Sequence, residues 1–221
     1  IELGPGRGTL LKDILKVSKL NSNFLKSANI TLVDKNLKLI NIQKDVANSF
    51  FLKNVKWKTK FQSNSSLPSI IYSNEFFDCL PIRQFYKKNF WLEKYVKYNS
   101  KENQFFLSDK IVKNIKIEKE LAEFDENRIA EISSDRKIIF NKLCKHISKK
   151  KGTIITIDYG YDKLLNNFSL QTVYKHKKTH LFDNIGKQDI TSFVNFKELM
   201  NIAEINNLKI DIYCSQKKGF L

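Results

Sequence analysis

Cysteine, proline and glycine are all scarce in this chain of 221 residues, which holds 3, 3 and 7 of them. Cys79, Cys144 and Cys214 lie far apart and are unpaired by spacing. That excludes a disulfide framework and a zinc-ligand pattern, and points to a reducing compartment. No apolar run approaches the roughly 20 residues a membrane span requires. No signal peptide is visible. The chain opens on Ile1, already inside a strand-like run, so it reads as starting within a domain, with any targeting segment upstream. No internal repeat is found.

Acidic residues are outnumbered as well, 23 against 39 Lys and Arg, for a net charge of +16. An excess of that size suits an acidic partner such as nucleic acid. The lysines are scattered, however, and no cluster of aromatics with glycine resembles an RNA-binding sheet. Lys, Asn, Ile and Phe are abundant together, as an AT-rich genome would produce, and we read the charge as drift. Hydrophobic residues make up 42%, enough to exclude disorder. At this length the chain can bury roughly 70% of its unfolded surface.

What glycine there is lies at the start. Gly4, Gly6 and Gly8 alternate directly after Ile1-Glu2-Leu3, and an amphipathic run follows them. Strand, glycine turn and helix N-terminus together make a nucleotide-binding corner. The spacing is E-x-G-x-G-x-G, not the G-x-G-x-x-G of dinucleotide sites. Glu2 at the end of the strand would sit poorly beside a pyrophosphate. A ligand with a positive centre and no phosphate suits it, and S-adenosylmethionine (SAM) is the obvious one. A glycine turn without a ligand is the plain alternative.

Thr9–Leu20 has the spacing of a helix, broken at Asn21–Asn23. Asn29–Asp34 reads as a second strand. Asp34 at its tip is placed to accept ribose hydroxyls, or else to cap the next helix, which runs through Leu37, Ile40, Ile42 and Val46. Val55–Phe61 and Ser69–Ser73 are further strands, separated by a polar loop at Ser63–Ser66. Asn74, Glu75, Phe76, Phe77 and Asp78 follow at the end where α/β sheets bind ligands. Residues 82–110 break the rhythm with short strands and polar turns, and read as an antiparallel insertion. Residues 111–128 are charged and partly helical. A helix through Ile138–Ile147 ends at Lys149–Gly152, and Thr153–Ile157 is the most strand-like run in the chain, with Asp158 and Tyr159 at its tip. Gln171–Gly186 is a long polar segment. Asp189–Phe196 leads into a helix at Lys197–Ile205, and Lys209–Tyr213 reads as a last strand.

Four strand tips thus carry polar groups: Glu2 with the glycines, Asp34, Asn74 to Asp78, and Asp158. In a doubly wound sheet they converge on one edge, the layout of a class I methyltransferase. No Asn-Pro-Pro-Tyr run marks an amino-group DNA methyltransferase, and no Pro-Cys pair is placed for cytosine-C5 chemistry. Three long stretches resemble the signatures of the MidA-like methyltransferases: Glu2–Leu10, Ser73–Pro81 and Ile157–Tyr161. Shorter matches agree, among them Leu32-Val33-Asp34 to Gln43, Trp91-Leu92-Glu93, His176, Asp189-Ile190-Thr191, and Gln216 with Phe220-Leu221. The chain departs from the family in having Asp34 in place of Glu and Asn195 in place of Asp. The family's N-terminal helical region and its C-terminal end are not matched.

The resemblance implies a Rossmann-like α/β domain over 1–221, a fragment at both ends, with 82–110 inserted. It implies a SAM-dependent enzyme that methylates arginine on a protein, as the best-described member does for a subunit of respiratory complex I. Glu2, Gly4, Gly6, Gly8, Asp34 and Asn74 would then hold the cofactor, with no metal. Glu75, with Asp78, would grip the guanidinium, and Asp158 is the rival. A non-catalytic SAM-binding assembly factor and a nucleic-acid methyltransferase are the alternatives. The composition leans bacterial and favours the cytoplasm over the mitochondrial matrix.

Overall fold

A computed structural model describes residues 1–18, 20, 22–52, 54–62, 66–124, 129–163 and 165–211. The chain alternates strand and helix through its first third: β1 (Glu2–Leu3), α1 (Thr9–Ser18), α2 (Ser22–Ser27), β2 (Ile30–Val33), α3 (Leu37–Ser49), β3 (Val55–Lys58) and β4 (Ser69–Asn74). A meander follows: β5 (Arg83–Lys87), β6 (Trp91–Asn99) and β7 (Gln104–Ile111), then α4 (Ile115–Leu121) and β8 (Ile129–Ile132). The alternation resumes with α5 (Ser134–Lys150) and β9 (Gly152–Ile157). Short strands β10 (Gly160–Tyr161), β11 (Gln171–Tyr174), β12 (Lys177–Lys178), β13 (Asp189–Thr191) and β14 (Val194–Asn195) precede α6 (Phe196–Ile205).

The central sheet is parallel throughout, in the order β3-β2-β1-β4-β9. The chain runs outward from β1 to β3, then returns across the sheet to start again at β4. The strand order therefore reverses between β1 and β4, and the crevice at their carboxyl ends is where such sheets bind ligands. Alternation along the strands sorts the two faces. Leu32 faces α1 and packs with Leu11 and Leu15, one helical turn apart. Leu3, Val33 and Ile71 face the other way, against Phe140, Leu143 and Ile147 of α5 and Leu199 and Ala203 of α6.

The antiparallel sheet runs β7-β6-β5-β8. It is larger than the segment 82–110, because β8 returns to pair with β5. One of its faces carries Phe85, Trp91, Ala130 and Ile132 and packs on Leu121 of α4. Gln84, Tyr86, Lys94, Val96 and Leu107 stand on the opposite face by register.

The structure differs from the sequence reading at several points. Residues at Asn21–Asn23 do not simply end α1, since a short helix α2 begins at Ser22. Lys151, at φ 64, is the residue that closes α5, and Gly152, also at positive φ, 127, already opens β9. The polar segment Gln171–Gly186 contains strands β11 and β12, paired through Val173 and Lys178. Lys209–Asp211 forms no strand; the rest of that expected strand, with Cys214, Gln216 and the chain to Leu221, lies outside the described residues, as do Ser63–Ser65 of the polar loop.

Candidate cofactor and active site

The glycine turn lies at one side of the switch point. Gly4, Gly6 and Gly8 all take positive φ, at 63, 54 and 76. The left-handed region costs an L-residue roughly 1–2 kcal/mol, which glycine avoids. Two of the glycines do more than bend. A Cβ on Gly4 would stand 2.8 Å from the Phe76 ring, so the turn is pressed directly against the loop after β4. A Cβ on Gly6 would meet nothing within 4 Å and would project into open space.

Asp34 lies just past β2. Its Oδ1 accepts from Asn36 N at 2.9 Å, and Asn36, not Asp34, caps α3. Its Oδ2 accepts from the side-chain amide of Gln43 at 2.9 Å, and that same amide nitrogen donates to Gly6 O at 2.9 Å. Gln43 is fully buried on α3 and ties the glycine turn to the acidic tip of β2. Both of its partners are acceptors, so the amide nitrogen must face them. Its Oε1 has no hydrogen-bond partner among the described residues. Composition gave no reason to single out this residue. The signal was the helix periodicity, which puts a polar side chain at 43 among Ile40 and Ala47 on the buried face of α3.

Glu2 is placed one residue short of the end of β1, not at its tip, and is 3% exposed. Tyr72 Oη donates to its carboxylate at 3.1 Å. Burial raises its pKa from the ordinary 4.5 to about 7. Taking a carboxylate out of water disfavours its charged form, and one phenol only partly compensates.

Opposite the glycines, residues 74–78 leave β4. Asn74 is its exposed last residue. Glu75 is exposed and adopts φ 49, a left-handed conformation rarely used by a residue with a side chain. Its N–H donates to Ile157 O at 2.9 Å, and its carboxylate, by charge and hydrogen bond, raises the pKa of the Tyr159 phenol. Strain of this kind persists where the surroundings over-determine it, and it clusters at functional sites. Phe76 and Phe77 stack edge to face with centroids 5.2 Å apart, and Phe77 is buried against Phe140.

Asp78 is 5% exposed, and its Oδ1 has no hydrogen-bond partner among the described residues. Burial first, then the charges of Asp158 and Glu75, raise its pKa to about 6, while Arg136 opposes them. Asp158, at the tip of β9, has a different occupation. Its Oδ2 accepts from Phe77 N at 2.9 Å and Asp78 N at 3.3 Å, and its Oδ1 from its neighbour Tyr159 N at 2.9 Å. It anchors the loop by its backbone.

Sequence reasoning missed the loop's second anchor. Arg136, in the first turn of α5, is 4% exposed. It donates to Phe77 O at 2.7 Å, Phe193 O at 2.8 Å, Asp78 O at 3.3 Å, Ser192 O at 3.1 Å and Ser192 Oγ at 2.7 Å. The guanidinium thus binds carbonyls and a hydroxyl, and fastens the loop after β4 to the segment 192–193. No pattern at Arg136 separates it in sequence from the surface cations of the same helix.

This arrangement can bind a nucleoside-bearing ligand at the glycine turn and a cation at the carboxylates beside it. Among the described residues no cluster has the make-up of a metal site, and no helix is long and apolar enough to cross a membrane.

Known structures share this fold. Solved structures from Burkholderia thailandensis superpose on 93% of the chain: one described with S-adenosyl-homocysteine bound, at TM-score 0.75 and 21% identity, and a native form at TM-score 0.76 and 19%. The chain covers 55% and 56% of them. Relatives named mitochondrial protein arginine methyltransferase NDUFAF7, or its homologue, are 27% identical over 92% of the chain in both Caenorhabditis elegans and Rattus norvegicus. The chain spans about half the length of these curated relatives, 52% in each case. A family model described as S-adenosyl-L-methionine-dependent methyltransferase matches residues 1–214, and the chain belongs to that family.

Proposed function

We propose that this chain forms the catalytic core of a SAM-dependent methyltransferase acting on arginine in a protein, with a respiratory complex I subunit as the candidate substrate. The observation that carries the reading is the contact between the two halves of the site. Phe76 lies against Gly4, which sets the carboxylates of the Glu75–Asp78 loop beside the cofactor turn at the switch point. The names of the relatives supply the arginine and the mitochondrion. The matrix is the setting for a mitochondrial member, the cytoplasm for a bacterial one.

The residues present fit the cofactor. Gly6 faces open space where a side chain would intrude, and the unpartnered Oε1 of buried Gln43 offers an acceptor beside Asp34. Each Asp34 oxygen retains capacity beyond its one backbone or amide partner. Glu2 supplies buried negative charge one residue before the turn. When bound, SAM supplies a methyl group on a sulfonium, and transfer is an in-line displacement in which alignment does most of the work.

Glu75, together with Asp78, is what we assign to the substrate guanidinium. A carboxylate can grip that planar cation bidentately, which fixes one terminal nitrogen and favours loss of its proton as the new bond forms. Asp158 has its oxygens engaged by three backbone N–H groups, so it serves better as the loop's anchor.

Glu75→Gln keeps the size and removes the charge. Turnover on a methylatable arginine protein is expected to fall by about 10²-fold, in the range of a positioned acid–base group, with SAM affinity nearly unchanged by calorimetry. Normal methylation in the variant, or loss of SAM binding as its main defect, removes Glu75 from this role. Methyl-transfer assays read by mass spectrometry separate the enzyme from a cofactor-binding assembly factor, which would bind SAM and transfer nothing.

A further inference from the structure

Beside the carboxylates the structure holds a hollow that the cofactor site does not use. A cleft of about 280 Å³ lies between the antiparallel sheet and the segment 170–192. Its walls are mostly apolar, from Leu80, Ile82, Val96, Leu107, Leu170 and Ile190. Asp78 and Cys79 also line it. We propose that this cleft receives the basic side chain of the substrate protein, with its methylene stem along the apolar walls and its cationic tip on Asp78. The proposal rests on the arginine reading given above and extends it to the route by which the side chain arrives.

Three observations carry it. The first is shape and chemistry together. The volume is at the small end of the roughly 300–1,000 Å³ typical of ligand pockets, and suits one long side chain better than a nucleoside. An apolar hollow with a carboxylate on its wall matches a side chain that is apolar along its length and charged at its tip.

The second is the unmet acceptor. Asp78 is 95% buried, and its Oδ1 has no partner among the described residues. Leaving a buried charged acceptor unsatisfied is costly, and ionised carboxylates accept only. A group that donates and carries positive charge is what this oxygen lacks.

The third is the balance of charge. The charges of Asp158 and Glu75 both act on Asp78, and Arg136 is the buried cation beside it. Among the described residues its hydrogen bonds go to carbonyls and to Ser192 Oγ, none to a carboxylate. Lys94, the cation that lines the cleft, has its Nζ 3.8 Å from Asp109 and lies over the rings of Tyr86 and Phe168, at 5.1 and 5.4 Å from their centroids. The carboxylates therefore keep an excess of negative charge that an incoming cation would offset.

Cys79 makes the cleft testable without any reaction. It is exposed and free, whereas Cys144 is buried. The full-length protein, loaded with S-adenosyl-homocysteine, is treated with iodoacetamide, and alkylation of Cys79 is followed by mass spectrometry. Nα-acetyl-arginine amide is expected to slow that alkylation. The neutral isostere Nα-acetyl-citrulline amide should protect about tenfold more weakly, the worth of one charge-assisted hydrogen bond. Asp78→Asn should abolish the difference between the two amides. Leu107→Trp, which fills the cleft from β7 and leaves the loop sequence intact, should abolish protection while SAM binding by calorimetry is retained.

Equal protection by both amides, no protection, or wild-type protection in Asp78→Asn each overturns the cleft. Protection by Nα-acetyl-lysine amide alone keeps the cleft and overturns the arginine reading. Arginine methylation that proceeds normally in Leu107→Trp keeps the arginine reading and overturns the cleft.

Discussion

The glycine turn and the Asn74–Asp78 loop face one another across the same switch point, yet they are built in opposite ways. The turn is made of backbone. Its shape comes from three residues without side chains, and a Cβ on Gly6 would find only open space. The loop is made of side chains. Asp158, 80 residues away from Asp78, holds it by two N–H groups, and Arg136 holds it by two carbonyls from the other side. The glycine turn is contiguous in sequence. The Asn74–Asp78 loop is held together with two distant segments, so its geometry depends on the whole fold.

That contrast can be broken at either end. The largest effect is expected at Gly6→Val, which should remove SAM binding altogether while the protein stays folded. The fold loses only the left-handed strain, about 1–2 kcal/mol. Calorimetry beside thermal melting checks both parts, and unchanged binding would refute the placement of the cofactor over the turn.

Arg136→Lys should do the reverse. Lysine keeps the charge but has three donors in place of a five-donor fork. Carbonyls of Phe77, Asp78, Ser192 and Phe193 would lose partners, at a total cost of about 2–3 kcal/mol, read as a shift in denaturant midpoint. SAM affinity should hardly move, while the KM for the protein substrate rises as the loop loosens. A variant that loses SAM binding and substrate binding equally would show that the two sides are not separately built.

The smallest effect is a matter of pH at Glu2. Its pKa is raised to about 7 in the folded chain, against an ordinary 4.5, so the folded state holds this proton more tightly. Its contribution is fully present below about pH 4.5, falls as pH rises, and is gone above about 7. Glu2→Gln abolishes that decline, so the variant's stability relative to the parent should improve from pH 5 to pH 8 in the absence of cofactor. Parallel stability curves would show that Glu2 is not buried as described.

Legibility in the sequence followed the same division. The parallel sheet could be read because each strand is a short apolar run with its polar tip alongside, as at Ile30–Val33 with Asp34. The glycine turn could be read because its residues are contiguous. The antiparallel strands were visible between 82 and 110, but β8 was not, since its partner β5 lies more than 40 residues earlier and pairing leaves no local mark. Asp158 looked interchangeable with Glu75 and Asp78 because all three follow strands. Only the N–H groups that converge on it distinguish an anchor from a free carboxylate. Arg136 was hidden for the opposite reason, and Gln43 was visible only through the family resemblance. Each is one polar residue within a helix, and its importance depends on what the fold brings to it.

Gln43 also constrains how this chain can change. Its amide nitrogen faces two oxygens, Gly6 O and Asp34 Oδ2, and one atom bridges both. Gln43→Glu alters almost nothing in outline, but turns an acceptor and a negative charge toward two acceptors in a buried place. Gln43→Met discards the polar group altogether and keeps the length. At neutral pH the near-perfect copy should bind SAM more weakly and melt lower than the cruder replacement, and acidification should narrow the gap. At this position tolerance follows the polarity of a single atom, and resemblance in size is no guide to what the chain can accept.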